Sequence, residues 1–135
     1  MSRKTLVALG AVIAAAAIVA ACSMPGTSGE VRCGWIENPT PGNWFLTDRD
    51  GRWTIATQGG EQAQGMEQMP DMSAGEWVAS DARGSYGHGC GCLTMRDDPA
   101  EMKVLALLKI RQKPLNDCRA DPALLPSEPK YSGRG

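Results

Sequence analysis

One phenylalanine, two tyrosines and a single histidine are all the chain has of those residues, and the scarcity limits what it can do. A lone histidine, His88, excludes any site built on two imidazoles. No serine stands in a nucleophile motif, so a conventional Ser/His/Asp hydrolase is disfavoured. No basic run interleaved with aromatics is present, which argues against nucleic acid as a partner. Only one phenylalanine and few isoleucines accompany its four tryptophans. A domain of this length then buries limited apolar area and needs another source of stability. Nor does any apolar run reach the roughly 20 residues that a membrane-spanning helix requires.

What stands at the N-terminus is more telling. Arg3 and Lys4 precede an uncharged stretch from Leu6 to Ala21, half of it alanine, and that layout is the one of a secretory signal. Val19-Ala20-Ala21-Cys22 resembles the lipobox of bacterial lipoproteins, in which an aliphatic residue and two small residues precede a cysteine that is lipidated and becomes residue one. The resemblance implies a signal peptide over 1–21, acylation of Cys22, and stable anchoring to membrane lipid through more than one acyl chain. Ser23 takes the place where aspartate commonly marks inner-membrane retention. That implies an outer-membrane lipoprotein facing the periplasm. Residues 22–30 read as the lipidated N-terminus and a polar, flexible tether.

Loss of Arg3 and Lys4 leaves 12 basic against 15 acidic residues in the mature chain, and its length suits one domain. Four cysteines remain: Cys33, Cys90, Cys92 and Cys118. An even number in an exported chain reads first as two disulfides, each adding roughly 2 to 4 kcal/mol by restricting the unfolded state.

The punctuation along the body is that of strands and turns. Arg32–Glu37 is a short strand candidate, closed by the Pro- and Gly-rich loop Asn38–Asn43. Trp44–Thr47 and Arg52–Ala56 flank Asp48-Arg49-Asp50-Gly51, with Gly51 suited to the left-handed position of a three-residue hairpin loop. Gln58–Gly75 reads as a long loop and Glu76–Ser80 as another strand. Cys90–Arg96 and Lys103–Arg111 form a last hairpin about Asp97–Glu101. The second member of that pair fits a helix equally on pattern alone, and the Asp-Asp-Pro turn favours the strand. Pro114–Cys118 suggests one helical turn, and residues 123–135 read as a disordered tail beyond a folded body of 31–122. The fold class expected is mainly β: a small twisted sheet or partly closed barrel of five or six strands, stapled by two disulfides.

Arg32-Cys33-Gly34-Trp35, Asn38-Pro39-Thr40-Pro41-Gly42-Asn43-Trp44, Asp48 to Ile55, Tyr86 to Leu93, and Pro114-Leu115 with Cys118 resemble a small bacterial family of exported proteins classified only as a domain of unknown function. The resemblance covers most of Val31 to Leu124 and implies no activity. Met66, Met69 and Met72 do not look like part of its pattern.

From Tyr86 to Cys92 the chain alternates strictly, with Tyr86, His88, Cys90 and Cys92 on one parity and Gly87, Gly89 and Gly91 on the other. On a strand, one face then carries every functional side chain and the other is bare backbone, against which a tryptophan is expected to pack. A tetrahedral metal set of His88, Cys90 and Cys92 with Cys33 or Cys118, or cuprous ion on Met66, Met69 and Met72, is the first alternative. It is disfavoured because structural zinc sites separate paired cysteines by two residues rather than one. A redox dithiol at Cys90-Gly91-Cys92 lacks a helix N-terminus or cationic neighbour to lower a thiol pKa. Asp48-x-Asp50-Gly51 is similar to the start of a calcium loop but lacks the distal glutamate. Residues two apart on a strand sit about 6.6 Å apart at Cα, near the upper end of what a disulfide spans, so neither bond should join Cys90 to Cys92. A hairpin centred near Pro99 favours Cys90 with Cys118 and Cys33 with Cys92, leaving the other pairing open.

The role expected is therefore non-catalytic binding or structural work in the envelope, without a metal or cofactor, with an envelope protein or cell-wall component as partner. Periplasmic lipoproteins that inhibit lysozyme are similar in size, cysteine use and strand content. The alternative is a metal-binding or thiol-redox protein using His88, Cys90 and Cys92.

Overall fold

The computed structural model describes residues 29–132. The expected signal, Cys22 and nearly all of the tether lie outside them. Six strands follow in order: β1 (Glu30–Thr40), β2 (Asn43–Asp48), β3 (Gly51–Ala56), β4 (Val78–Ala79), β5 (Gly87–Asp98) and β6 (Lys103–Lys113), then a short helix α1 (Leu115–Arg119). The architecture is mainly β, as expected, and 103–113 is a strand.

The pairings close on themselves. β1 lies between β2 and β5, both antiparallel, β5 pairs antiparallel with β6, and β3 meets β6 in parallel, so five strands form a ring with β4 added to the free start of β5. The β3–β6 seam is a single bridge, Thr54 to Lys103. Elsewhere the central segment fills it: Ala63 N donates to Ile55 O, Gln64 N to Leu105 O, and Leu107 N to Gln64 O. The stretch expected as a long loop thus supplies backbone partners that the seam would otherwise lack. It also carries two 3-10 turns, Met66–Gln68 and Met72–Ala74, and Met72 is buried in the core.

Several boundaries are corrected. β1 continues through Pro39 with a register irregularity between Glu37 and Thr40, and turns on Pro41-Gly42. Gly42 takes a φ of 72°, which explains glycine there. Asp48 pairs directly with Gly51, so the next turn has two residues, Arg49 and Asp50, not three. Asp48 Oδ1 accepts the backbone N–H of Asp50 and of Gly51, which tightens that turn.

Alternation sorts side chains into two layers. Inside the ring, Ile36, Leu46, Trp53, Ile55, Leu93, Met95, Val104 and Leu107 form the main core. Gly87, Gly89 and Gly91 line the inner face of β5. A Cβ on Gly89 would meet the Trp77 ring at 3.1 Å, and one on Gly91 would meet Ile36 Cδ1 at 2.6 Å, so the expected tryptophan packs there and shares the bare face with an isoleucine. Outside, Trp35, Cys90, Cys118 and Leu124 form a second cluster with Leu115 packed against it.

The tail expectation is overturned by this second layer. After α1 the chain runs back across the outer face of β1 and β5. Leu124 is buried there, and its carbonyl accepts the indole N–H of Trp35 at 3.2 Å. Residues 120–132 therefore belong to the folded body. The apolar residues that seat them stand on distant strands, and the prolines at 122, 126 and 129 shape a covering segment rather than a frayed end.

Candidate functional site

Antiparallel register puts residues directly opposite one another on the same face. Cys33 faces Cys92, Trp35 faces Cys90 and Glu37 faces His88, so the outer face of β1–β5 is a strip of cysteine, tryptophan and histidine. The four cysteines form Cys33–Cys92, a bond between neighbouring strands with Cα atoms 4.0 Å apart, and Cys90–Cys118, which ties β5 to α1 with Cα atoms 5.8 Å apart. This is the pairing that the hairpin favoured, and Cys90 and Cys92 are not joined to each other.

His88 is buried at the end of the strip. Its ring meets Trp35 edge-on at 5.3 Å. Nε2 lies 3.1 Å from Glu128 Oε1 and Nδ1 lies 3.0 Å from the Tyr131 hydroxyl. Glu128 is itself held by Arg119 Nη2 at 2.8 Å, and that pairing lowers its carboxyl pKa. An ionised carboxylate only accepts, so Nε2 carries the proton. Burial lowers the pKa of His88 against the opposing pull of Glu128, which leaves the ring neutral near pH 7 and Nδ1 free to accept the Tyr131 O–H. Both ring nitrogens are thereby satisfied.

A carboxylate, an imidazole and a hydroxyl in a row have the layout of a nucleophilic relay. Here, however, the hydroxyl is a phenol whose pKa burial raises further, and His88 is only 1% exposed. A cleft of about 440 Å³ between β4 and the 125–131 segment borders the group, yet both ring nitrogens point to side chains. The arrangement fastens the C-terminal segment to the sheet.

A second cluster closes one end of the ring. The Arg32 guanidinium stacks 4.1 Å over the Trp53 ring. It reaches Asp97 Oδ2 at 2.8 Å, Asp50 Oδ2 at 2.9 Å, Asp48 Oδ2 at 3.1 Å and Glu30 Oε2 at 3.1 Å. The indole of Trp53 donates to the other Asp48 oxygen at 3.0 Å. Burial disfavours the charged guanidinium, but the hydrogen bonds of Asp97, Asp48 and Asp50 outweigh it and hold the arginine protonated. Asp48 and Asp50, whose motif is similar to a calcium loop, thus serve a hairpin turn and an arginine.

Of the residues singled out from sequence, the structure brings His88, Cys90 and Cys118 under one covering segment and sets Cys33 and Cys92 beside them. Met72 is spent on the main core, with Met66 and Met69 packed against it, and the three do not share the cysteine strip. Sequence reasoning missed Arg32, Glu128 and Tyr131. For Arg32 the available signal was an arginine one residue before a strand cysteine, with three aspartates in turn positions. For Glu128 and Tyr131 there was none beyond their being the polar residues of a proline-rich segment.

Comparison with curated proteins and with solved structures returns no match. Residues 27–125 match a family model, a span that takes in Arg32, all four bridged cysteines and His88 but stops short of Glu128 and Tyr131. The model is described as "Protein of unknown function (DUF4087)" and covers well over half of the chain, which therefore belongs to that family.

Proposed function

We propose that the protein is a lipid-anchored, outer-membrane module facing the periplasm, tethered through acylated Cys22, whose work is non-catalytic binding or structural support. The observation that carries this reading is the export signature ending Val19-Ala20-Ala21-Cys22, joined to a domain whose four remaining cysteines all form bonds between separate elements. Such bonds persist in oxidising compartments such as the periplasm. The non-catalytic part draws support from His88, whose two nitrogens are engaged by Glu128 and Tyr131 away from solvent. A partner in the envelope, whether protein or cell-wall component, fits a disulfide-linked domain held near a membrane.

Labelled palmitate should enter the wild-type chain and not Cys22→Ser, and the mature protein should begin at Cys22 with added acyl mass. A mature N-terminus elsewhere, without acyl mass, overturns the anchoring. Free thiols at Cys90 and Cys92, or stoichiometric zinc or cuprous ion in protein taken from the periplasm, would overturn the non-catalytic reading in favour of thiol or metal chemistry.

A further inference from the structure

The covering segment leaves part of the outer face bare. Near the start of β1, Val31 is 61% exposed, and Leu108 on β6 is 39% exposed. Val31 stands opposite Thr94, and Thr94 opposite Lys109. Leu108 is the extra residue where the β5–β6 register shifts between Thr94 and Met95. A Cβ built on Gly29 would lie 2.8 Å from Leu108 Cδ1 and 2.9 Å from Thr94 Cγ2, so Leu108 reaches the same outer face and the chain leaves the domain directly across it. Arg96, Lys109 and Arg111 share that face by alternation and register. Among the described residues none of these three cations makes an ion pair; Arg96 is half-buried, and its Nε is buried without a hydrogen-bond partner. Arg96, Lys109 and Arg111 thus gather positive charge on one part of a chain of net negative charge, with Glu30 and Asp121 bordering it at Val31.

The geometry points to a membrane-contact surface: Val31 and Leu108, with Arg96, Lys109 and Arg111, rest on the anionic phospholipid headgroups of the bilayer that holds the anchor. This inference rests on the anchoring proposed above. Chain length selects the occupant. Residues 23–28 separate Cys22 from Gly29, and fully extended they span at most about 25 Å. A patch at the very point where that tether leaves the fold is held within reach of the bilayer, whatever the domain does with its other faces. Apolar side chains gain by entering the headgroup boundary, and each basic side chain near an anionic leaflet strengthens association about fivefold.

The test uses the full chain purified from membranes and reconstituted in vesicles of phosphatidylethanolamine with phosphatidylglycerol, against vesicles of phosphatidylcholine and detergent solution. A water-soluble amine-acylating reagent reports each lysine by peptide mass. Lys109 should be modified about fivefold less on the anionic vesicles than in detergent, while Lys130, on the covering segment, keeps its reactivity. The double variant Val31→Ser with Leu108→Ser, altered only at exposed positions, should lose most of that protection, as should Arg111→Glu. Unchanged Lys109 reactivity in protein whose Cys22 carries acyl mass overturns the docking and leaves the anchoring intact. Protection that arises without vesicles and grows with protein concentration assigns the face to a second copy and overturns it too. Absence of acyl mass at Cys22 removes the anchoring and the docking with it.

Discussion

The inside of the ring and the outer face of β1–β5 solve the same problem by different means. Inside, aliphatic side chains, Met72 and Met95 pack around Trp53, and bare glycines on β5 let Trp77 and Ile36 come close to the backbone. One end is closed by Arg32 with its carboxylates. Outside, a far smaller cluster of Trp35, Leu124 and Leu115 gathers around a disulfide, and a histidine hydrogen-bonded on both sides fastens the segment that covers it. The contrast shows where covalent bonds are used in a small domain. The layer with ample apolar area holds by packing, and the layer with little of it is tied. A single strand produces both, because the alternation of β5 sends glycine inward and cysteine and histidine outward.

Two indole N–H groups report on the two layers separately: Trp53 donates to Asp48 inside, and Trp35 donates to Leu124 outside. The largest effect is expected at Arg32. Arg32→Ala leaves Asp48 and Asp97, with side chains only 5% and 10% exposed, without their cation. Breaking a buried pair from one side costs about 3 to 5 kcal/mol. Urea unfolding should show the loss, and both indole signals should shift. Glu30→Ala, which removes a partner 58% exposed, should change stability by less than about 1 kcal/mol. Equal effects from the two substitutions would mean that the arginine is not the plug of the inner layer.

Next comes the bond that ties the outer layer. Cys90→Ala with Cys118→Ala should cost about 2 to 5 kcal/mol, and at low denaturant the Trp35 indole signal should move while that of Trp53 stays. Simultaneous loss of both signals would show one cooperative unit and dissolve the distinction.

The smallest effect is expected from pH. His88 faces Glu128 and Arg119 on the C-terminal side and Glu37 across the pair of strands, and its pKa in the fold lies below the ordinary 6.5. A group depressed on folding contributes stability that is fully present above its unfolded value and is lost as pH falls below about 6.5 toward the folded value, because the unfolded chain takes the proton first. Glu128, also lowered in the fold, adds a further loss only near the carboxylate range. Between pH 7 and 5 the outer layer should therefore loosen, seen as faster proteolysis after Arg119 and a shift of Trp35 with Trp53 unmoved. His88→Gln should remove the dependence in that window. A pH response that persists in this variant would place the titrating group elsewhere.

Local chemistry made much of the fold legible. The Asp-Asp-Pro turn at 97–99 marked the β5–β6 hairpin, and Asp98 Oδ1 does accept the N–H of Ala100 and Glu101. The alternation from Tyr86 to Cys92 announced a strand with one bare face and one cysteine face. The distance between i and i+2 on a strand was enough to separate Cys90 from Cys92. Less visible were contacts whose partners are far apart in the chain. Glu128 and Tyr131 meet His88 across 40 and 43 residues, and Asp97 meets Arg32 across 65. No periodicity or turn signal encodes such meetings, and the prolines of 122–129, read locally, suggest an end.

By itself, then, the sequence determined what depends on neighbours along the chain: a β domain of paired strands, the faces of β5, and cysteines unable to bond to the nearest one. Closure of the sheet into a ring, the seam filled by 62–64, the four carboxylates about Arg32 and the segment clasped over Trp35 and His88 were decided only in three dimensions. Each of these needs surfaces that do not exist until distant strands have paired, because burial and charge pairing are properties of the assembled face rather than of any stretch of chain.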